Sequence, residues 1–418
     1  MKCSHKLLFF LNSFSLGLLA PVLTMVLCGH GATLTTASLF IGVFSLTVVI
    51  SEVPSGIAAD LAGRRKIFIL SHIFTWISFF LILLSRRAAL LAVGCVFLGL
   101  GRSFSSGSLE ALEIEQALEE HGPACLERVN RLLSVIESLA LASGALLSGY
   151  LGHLDSSYSL ILLCLLAVET LLLLLSILFV REQPGHPTPA ETGRKKETSL
   201  SENLSSLFAL MRCSAFLKLI LAMSVVLGLF LSAVEIYWQP DLLKLLPGQL
   251  TWIPGAVSCL GYLGVTLGST AGARLMARLR SAASGKWSLY AFLRLMLPIP
   301  MFLFALCNAW YVFALCYIIL YILLGAANLA ENTLLHSIVP NRHRASMLSL
   351  LSLFTRGGGL ITSVLGSILL KNSTVSTVWI CISILAFLLT LGGFLLFFAF
   401  HHHTIENSGP SSGSRRPL

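Results

Sequence analysis

Glu52-Val53-Pro54-Ser55-Gly56-Ile57-Ala58-Ala59-Asp60-Leu61-Ala62-Gly63-Arg64-Arg65-Lys66 separates an apolar run that reaches Ile50 from another that starts at Ile67. Two membrane-crossing segments must turn back within these few residues. Gly56 and Gly63 suit such a turn, because a residue without Cβ permits close backbone approach or positive φ. Arg64, Arg65 and Lys66 form a basic cluster of the kind that keeps a short loop on the cytoplasmic side. Asp60 is a lone carboxylate at the mouth of the helix pair. There it can meet an arginine or the positive N-terminus of another helix.

Composition agrees with a membrane setting. Of 418 residues, 56% are hydrophobic and only 11% charged, with a mean hydropathy of +0.86. Soluble domains carry about a quarter charged residues, so the chain is expected to be an all-α, polytopic membrane protein. The net charge of +9 comes largely from loop residues that orient helices, and it does not indicate nucleic-acid binding. The ten cysteines are scattered without a Cys-x-x-Cys pair and behave as small hydrophobes.

Apolar runs able to cross about 30 Å of hydrocarbon lie near Leu7–Leu27, Thr33–Val53, Ile67–Leu84, Ala88–Ala111, Leu132–Leu154 and Ser157–Val180. Six more lie near Phe216–Trp238, Trp252–Met276, Leu289–Leu306, Trp310–Leu334, Ala345–Leu370 and Val375–Phe400. The twelve runs divide as six plus six: one bundle over 1–180, a polar cytoplasmic linker over 181–213, and a second bundle over 214–400. A tail over 401–418 is expected to be disordered and cytoplasmic. His401-His402-His403 has no second ligand set, so no metal site is assigned. The odd-numbered connections hold only Arg86, Arg87, Lys244 and Lys371, which places both termini in the cytoplasm. Pro21, Pro54, Pro254, Pro298 and Pro300 are expected to kink their helices.

The pattern Gly56-x-x-Ala59-Asp60-x-x-Gly63-Arg64-Arg65 resembles the signature loop between the second and third helices of the major facilitator superfamily. The preceding Glu52-x-Pro54-x-Gly56 resembles a bacterial exporter-like branch of that family. The resemblance implies twelve transmembrane helices in two pseudo-symmetric six-helix bundles. It also implies a monomeric secondary transporter of the bacterial plasma membrane, with no cofactor. Its partners would be a small-molecule substrate and membrane lipid. It further implies that Asp60, an arginine of the 64–65 pair and Glu115 form a charge relay. Asp60 would dock at the N-terminus of the eleventh helix, near Arg344 and Ala345, when the inner gate is shut. Echoes between the halves, such as Gly99-Leu100-Gly101 against Gly325-Ala326-Ala327, support a repeat. The Gly-Pro motif of many drug/proton antiporters is absent from the fifth run, which weakens drug antiport as a reading.

Ionisable groups at membrane depth are functional candidates, because burying charge in hydrocarbon costs a few kcal/mol. Arg102 falls in the fourth run and Arg356 in the eleventh; together they can hold an anionic group, or Arg102 can pair with Glu137. Glu137, Glu235 and Glu331 are candidate proton sites. Asn12 is a candidate substrate contact or helix bridge. Glu169 is expected to be a hydrogen-bonded structural residue. Tyr237 and Trp238 are expected to belong to an interfacial belt. No HExxH, nucleophile elbow or phosphate loop occurs, so no enzyme activity is expected. The activity expected is proton-coupled efflux of a small organic solute. Organic-anion transport through Arg102 and Arg356, or a non-transporting sensor on the same fold, is the alternative.

Overall fold

A computed structural model describes residues 3–105, 126–179, 214–279, 283–339 and 344–406, all but the short connections in helix. The linker at 181–213, Glu115 and the tail beyond Glu406 lie outside the described residues, as do the side chains of Asp60 and Arg344. The first half contains α1 (Cys3–Leu19), α2 (Leu23–Gly29), α3 (Leu34–Ala62), α4 (Arg64–Leu83), α5 (Ala88–Ser105), α6 (Leu126–Leu154) and α7 (Ser159–Phe179). The second contains α8 (Ala215–Leu245), α9 (Ile253–Arg278), α10 (Ala283–Met296), α11 (Pro298–Phe304), α12 (Trp310–Ile338), α13 (Arg344–Leu370) and α14 (Val375–Glu406).

Among the described residues, eleven spans are long and apolar enough to cross a membrane, and the bent pair α1 and α2, counted as one span, makes a twelfth. The bend is 59° and falls where Pro21 interrupts the first run. α10 and α11 are two parts of one span, and Pro298 opens its second part at N1. Pro254 does not kink a helix as expected: it sits at the start of α9, where a missing N–H costs nothing. Pro54 lies inside α3 without ending it.

The motif from Glu52 to Lys66 is also more helical than a loop reading suggests. α3 continues through Ala62, and the reversal into α4 is compressed onto Gly63. Gly63 has φ +95°, ψ 140°, a conformation that side chains with a Cβ rarely adopt. Gly56 serves neither expected purpose. A Cβ there meets nothing within 4 Å, and its φ is not positive. At the far end, α14 runs through His401–His403 to Glu406, beyond the expected start of the tail.

The halves repeat one pattern of pairings. α1 packs on α6 as α8 packs on α13, α3 on α5 as α9 on α12, and α4 on α7 as α11 on α14. Between halves, α3 meets α13 and α6 meets α9, so the two bundles face each other across a pseudo-two-fold axis. Lipid tails are as apolar as leucine, so these pairs are held by close packing rather than by hydrophobic drive. Glycines allow the approach. Gly17 and Gly144 bring α1 against α6, and the backbones of Gly228 and Gly358 do the same for α8 and α13.

Two adjacent residues test this packing. A Cβ at Gly358 meets the backbone of Val225 and Leu229, whereas one at Gly357 meets nothing within 4 Å. Gly358→Ala is expected to cost about 1–3 kcal/mol from overpacking. Gly357→Ala should be neutral or stabilising by up to about 1 kcal/mol. Thermal unfolding of both variants in detergent checks the contrast.

Candidate functional site

A cavity of about 460 Å³ lies between the halves. Asn12, Arg102 and Glu137 reach it from α1, α5 and α6, and Glu235 and Arg356 from α8 and α13. Five of the six substrate and proton candidates therefore converge on one space. Leu16, Leu19, Leu23, Phe79, Leu98 and Leu141 line its first-half wall, interleaved with Ser15, Thr24, Ser45, His72, Thr75 and Glu169. Gly228 and Gly359 keep its second-half wall thin, since α8 and α13 cross there without intervening side chains.

The two arginines are not neutralised by contact. The ion pairs among the described residues are His72–Glu169, Lys244–Asp241 and Arg294–Glu331, none of which involves Arg102 or Arg356. Arg102 lies within the electrostatic reach of Arg356, Glu137, Glu52 and Glu235. The Arg102–Glu137 pair read from the sequence therefore acts through space rather than as a contact. The Arg356 guanidinium lies 5.7 Å from the centroid of Phe44, a cation–π contact from the other half. Glu52, assigned by sequence to the turn motif, belongs to this charge set instead. It lies within the electrostatic reach of Arg356 and Arg102. Two turns of helix separate Glu52 from Asp60, which is why one motif serves two places.

Glu235 opens onto the cavity from α8. Behind it stand Tyr262, Tyr317 and Tyr321, all within its field. Tyr317 and Tyr321 stack at 4.5 Å, and Tyr262 meets Tyr321 edge-on at 6.3 Å. Tyr237 and Trp238 do not form an interfacial belt. Both are buried, because α8 continues to Leu245 and carries them below its end. The Tyr237 hydroxyl lies 2.8 Å from Ser38 Oγ, which donates to the Ser363 carbonyl at 2.9 Å. Trp238 packs on Tyr317 at 4.4 Å.

This Ser38–Tyr237–Ser363 bridge ties the halves together at the end away from the basic loops. Gly149 and Gly255 meet backbone to backbone at the same end, and His153 Nδ1 lies 2.7 Å from Thr251 Oγ1. Nearer the basic end, Ser138 Oγ and Thr266 Oγ1, on α6 and α9, also meet across the halves at 3.1 Å.

Two buried polar clusters escaped the sequence reading in part. Glu169 is structural, as expected, but its partners come from two other helices. Ser15 Oγ donates to Oε1 at 2.7 Å, and His72 Nδ1 lies 2.6 Å from Oε2. Glu331 does not reach the cavity. Tyr290 and Arg294 both donate to its Oε2, at 2.5 and 2.6 Å, within the second half. His72 and Arg294 were visible as ionisable residues inside apolar runs, which was the available signal. Of the gate residues, Arg65 donates through Nη2 to the Ile177 carbonyl at 2.9 Å, pinning the start of α4 to the end of α7.

A two-bundle helical fold around one charged central cavity defines a membrane transporter rather than an enzyme. The sequence model of the Major Facilitator Superfamily matches residues 7–305. The chain belongs to that superfamily and is an integral multi-pass membrane protein. The nucleoside transporter NupG shares the fold with a TM-score of 0.76 at 14% identity, over 94% of this chain and 98% of that one. A POT family transporter in complex with 5-aminolevulinic acid gives 0.71 at 17% identity, over 96% of each chain. A D-xylose-proton symporter gives 0.69 at 15% identity, over 93% of this chain and 96% of that one. A search of curated proteins returns no match.

The Arg294–Glu331 pair separates structural from transport roles. Glu331→Ala strands a guanidinium in a site where Arg294 is only 4% exposed, and is expected to cost about 3–5 kcal/mol. Combining Arg294→Met with Glu331→Leu should recover most of that stability. Unfolding midpoints in detergent for the single and double variants make the comparison.

Proposed function

We propose that the protein is a proton-coupled secondary transporter that exports a small organic solute by alternating access. The observation that carries this reading is the cavity: it holds Arg102, Glu137, Glu235 and Arg356 between two halves that hydrogen-bond to each other at the end away from the basic loops. The basic loops favour both termini on the inner side of a bacterial plasma membrane, and the hydrogen-bonded seam at the far end fits an inward-facing conformation. The first bundle spans 1–180 and the second 214–400, joined by a cytoplasmic linker.

Proton coupling rests on Glu235 and Glu137. A carboxylate that opens into an enclosed cavity can take up a proton when water leaves it, and release it when the opposite side opens. Export rests on the Glu52-x-Pro54-x-Gly56 pattern and its exporter-like resemblance. A second reading, organic-anion transport, is favoured by the absence of a contacting carboxylate at Arg102 and Arg356. The similar structures include a nucleoside transporter and a D-xylose-proton symporter, which fits a small polar cargo.

Closure of the inner side would bring Asp60, at the end of α3, onto the N-terminus of α13 near Arg344, where the helix dipole favours an anion. The one-residue turn at Gly63 fixes the direction in which the end of α3 can move.

In proteoliposomes carrying a trapped pH dye, an imposed pH gradient should drive solute movement with accompanying proton flux. Glu235→Gln should abolish the proton flux while the protein still folds. Flux that persists unchanged in both Glu235→Gln and Glu137→Gln would remove proton coupling. Asp60→Asn should slow turnover about tenfold or more, the equivalent of about 1.4 kcal/mol of lost gate contact, with affinity nearly intact. A large loss of affinity would instead place Asp60 at the solute.

A further inference from the structure

Charged groups enclosed by protein are ordinarily satisfied by a contacting partner of opposite sign. The central cavity departs from that rule in both signs. Arg102 and Arg356 line the same cavity, and among the described residues no carboxylate forms an ion pair with either of them. Glu235, on α8 of the second half, likewise has no contacting cation and no hydrogen-bond partner among the described residues, and it opens into the same space. Glu52 on α3 and Glu137 on α6 offset the arginine charge at a distance.

The result is a positive pole contributed by both halves, sharing the cavity with Glu235 of the second half and Glu137 of the first. Between and around them lie Leu16, Leu19, Phe79 and Leu98, and Tyr262 and Tyr321 stand behind the Glu235 carboxylate. A simple organic cation gains nothing from two facing guanidiniums and is repelled by them. A simple organic anion sits well between the arginines but shares a small cavity with Glu235 and Glu137.

From this geometry, and resting on the transport reading above, we propose that the substrate is an amphipathic zwitterion. Its carboxylate or phosphonate bridges Arg102 and Arg356 while its ammonium meets Glu235. The cavity volume of 460 Å³ falls within the ~300–1,000 Å³ typical of small-molecule sites, and Leu16, Leu19, Phe79 and Leu98 suit a hydrocarbon spacer between the charges. Arginine suits the anionic end because its planar fork binds a carboxylate or phosphonate through two parallel hydrogen bonds. Because the anion contacts arginines from α5 and α13, its binding also draws the two halves toward each other. The substrate itself then supplies part of the closing force.

The test uses the purified full-length protein and a ligand series: ω-aminocarboxylates of increasing chain length, the matched alkylcarboxylates and the matched alkylamines. Ligand-induced thermal stabilisation gives apparent affinities. One chain length of the aminocarboxylates should bind about tenfold or more tighter than either singly charged analogue, as expected for two independently satisfied charges. Glu235→Gln should reduce that ligand to the affinity of the alkylcarboxylate, and Arg356→Gln to that of the alkylamine. Arg356→Lys, which keeps the charge but loses the fork, should fall between wild type and Arg356→Gln. Equal affinity for the zwitterion and either singly charged analogue overturns the proposal, as does the absence of binding by the whole series. Binding with the expected pattern but without flux across vesicles leaves this assignment standing and removes the transport reading instead.

Discussion

A bundle built for hydrocarbon cannot leave charge without an answer, and the whole architecture depends on how this one answers it. Where an ionisable group is structural, the protein supplies a contact. Glu169 has Ser15 and His72, and Glu331 has Tyr290 and Arg294, each at hydrogen-bond distance and each buried. Arg102, Arg356 and Glu235, which line the cavity, have no ion-pair partner among the described residues. The contrast does not follow residue type, since arginine and glutamate appear in both groups, nor position alone, since Glu169 and His72 also line the cavity.

The scaffold can make that distinction because its helices approach closely. Glycines on α1, α6, α8 and α13 remove side chains from the crossings, so the polar groups beside them are held at defined depth. The same economy operates at the seal. Gly149 and Gly255 bring the halves into backbone contact, and the Ser38–Tyr237–Ser363 bridge adds hydrogen bonds that lie between bundles rather than within one. Hydrogen bonds of this kind contribute about 1 kcal/mol each inside membranes, small enough to be broken and remade in each cycle. A seal of backbone packing plus a few such bonds is firm in one state without being irreversible.

Much of this was legible in the residues. The twelve crossings follow from run length, and even the broken first and ninth spans are marked by Pro21 and Pro298. Arg102, Glu137, Glu235 and Arg356 stood out as charges in apolar surroundings, and all four reach the cavity. What the sequence could not show was direction around a helix. Glu52 and Asp60 share one motif but differ by eight residues, enough to send Glu52 toward Arg356. Glu331 looked equivalent to Glu235, but it turns to Tyr290 and Arg294, because a partner four residues after a tyrosine is invisible without knowing which helices meet. Tyr237 and Trp238 looked like a membrane belt only because the end of α8 was placed too early.

The central claim is that the two halves close alternately at opposite ends around the charged cavity. It is tested most directly by electron–electron distance measurements on two labelled pairs in liposomes. One pair, at positions 153 and 251, spans the sealed end, and the other, at 59 and 348, spans the end bearing the basic loops. Across a pH series, the account predicts two populations in each pair with opposite occupancy, so that the first distance lengthens as the second shortens. A single fixed distance in either pair, or distances that lengthen together, would contradict it.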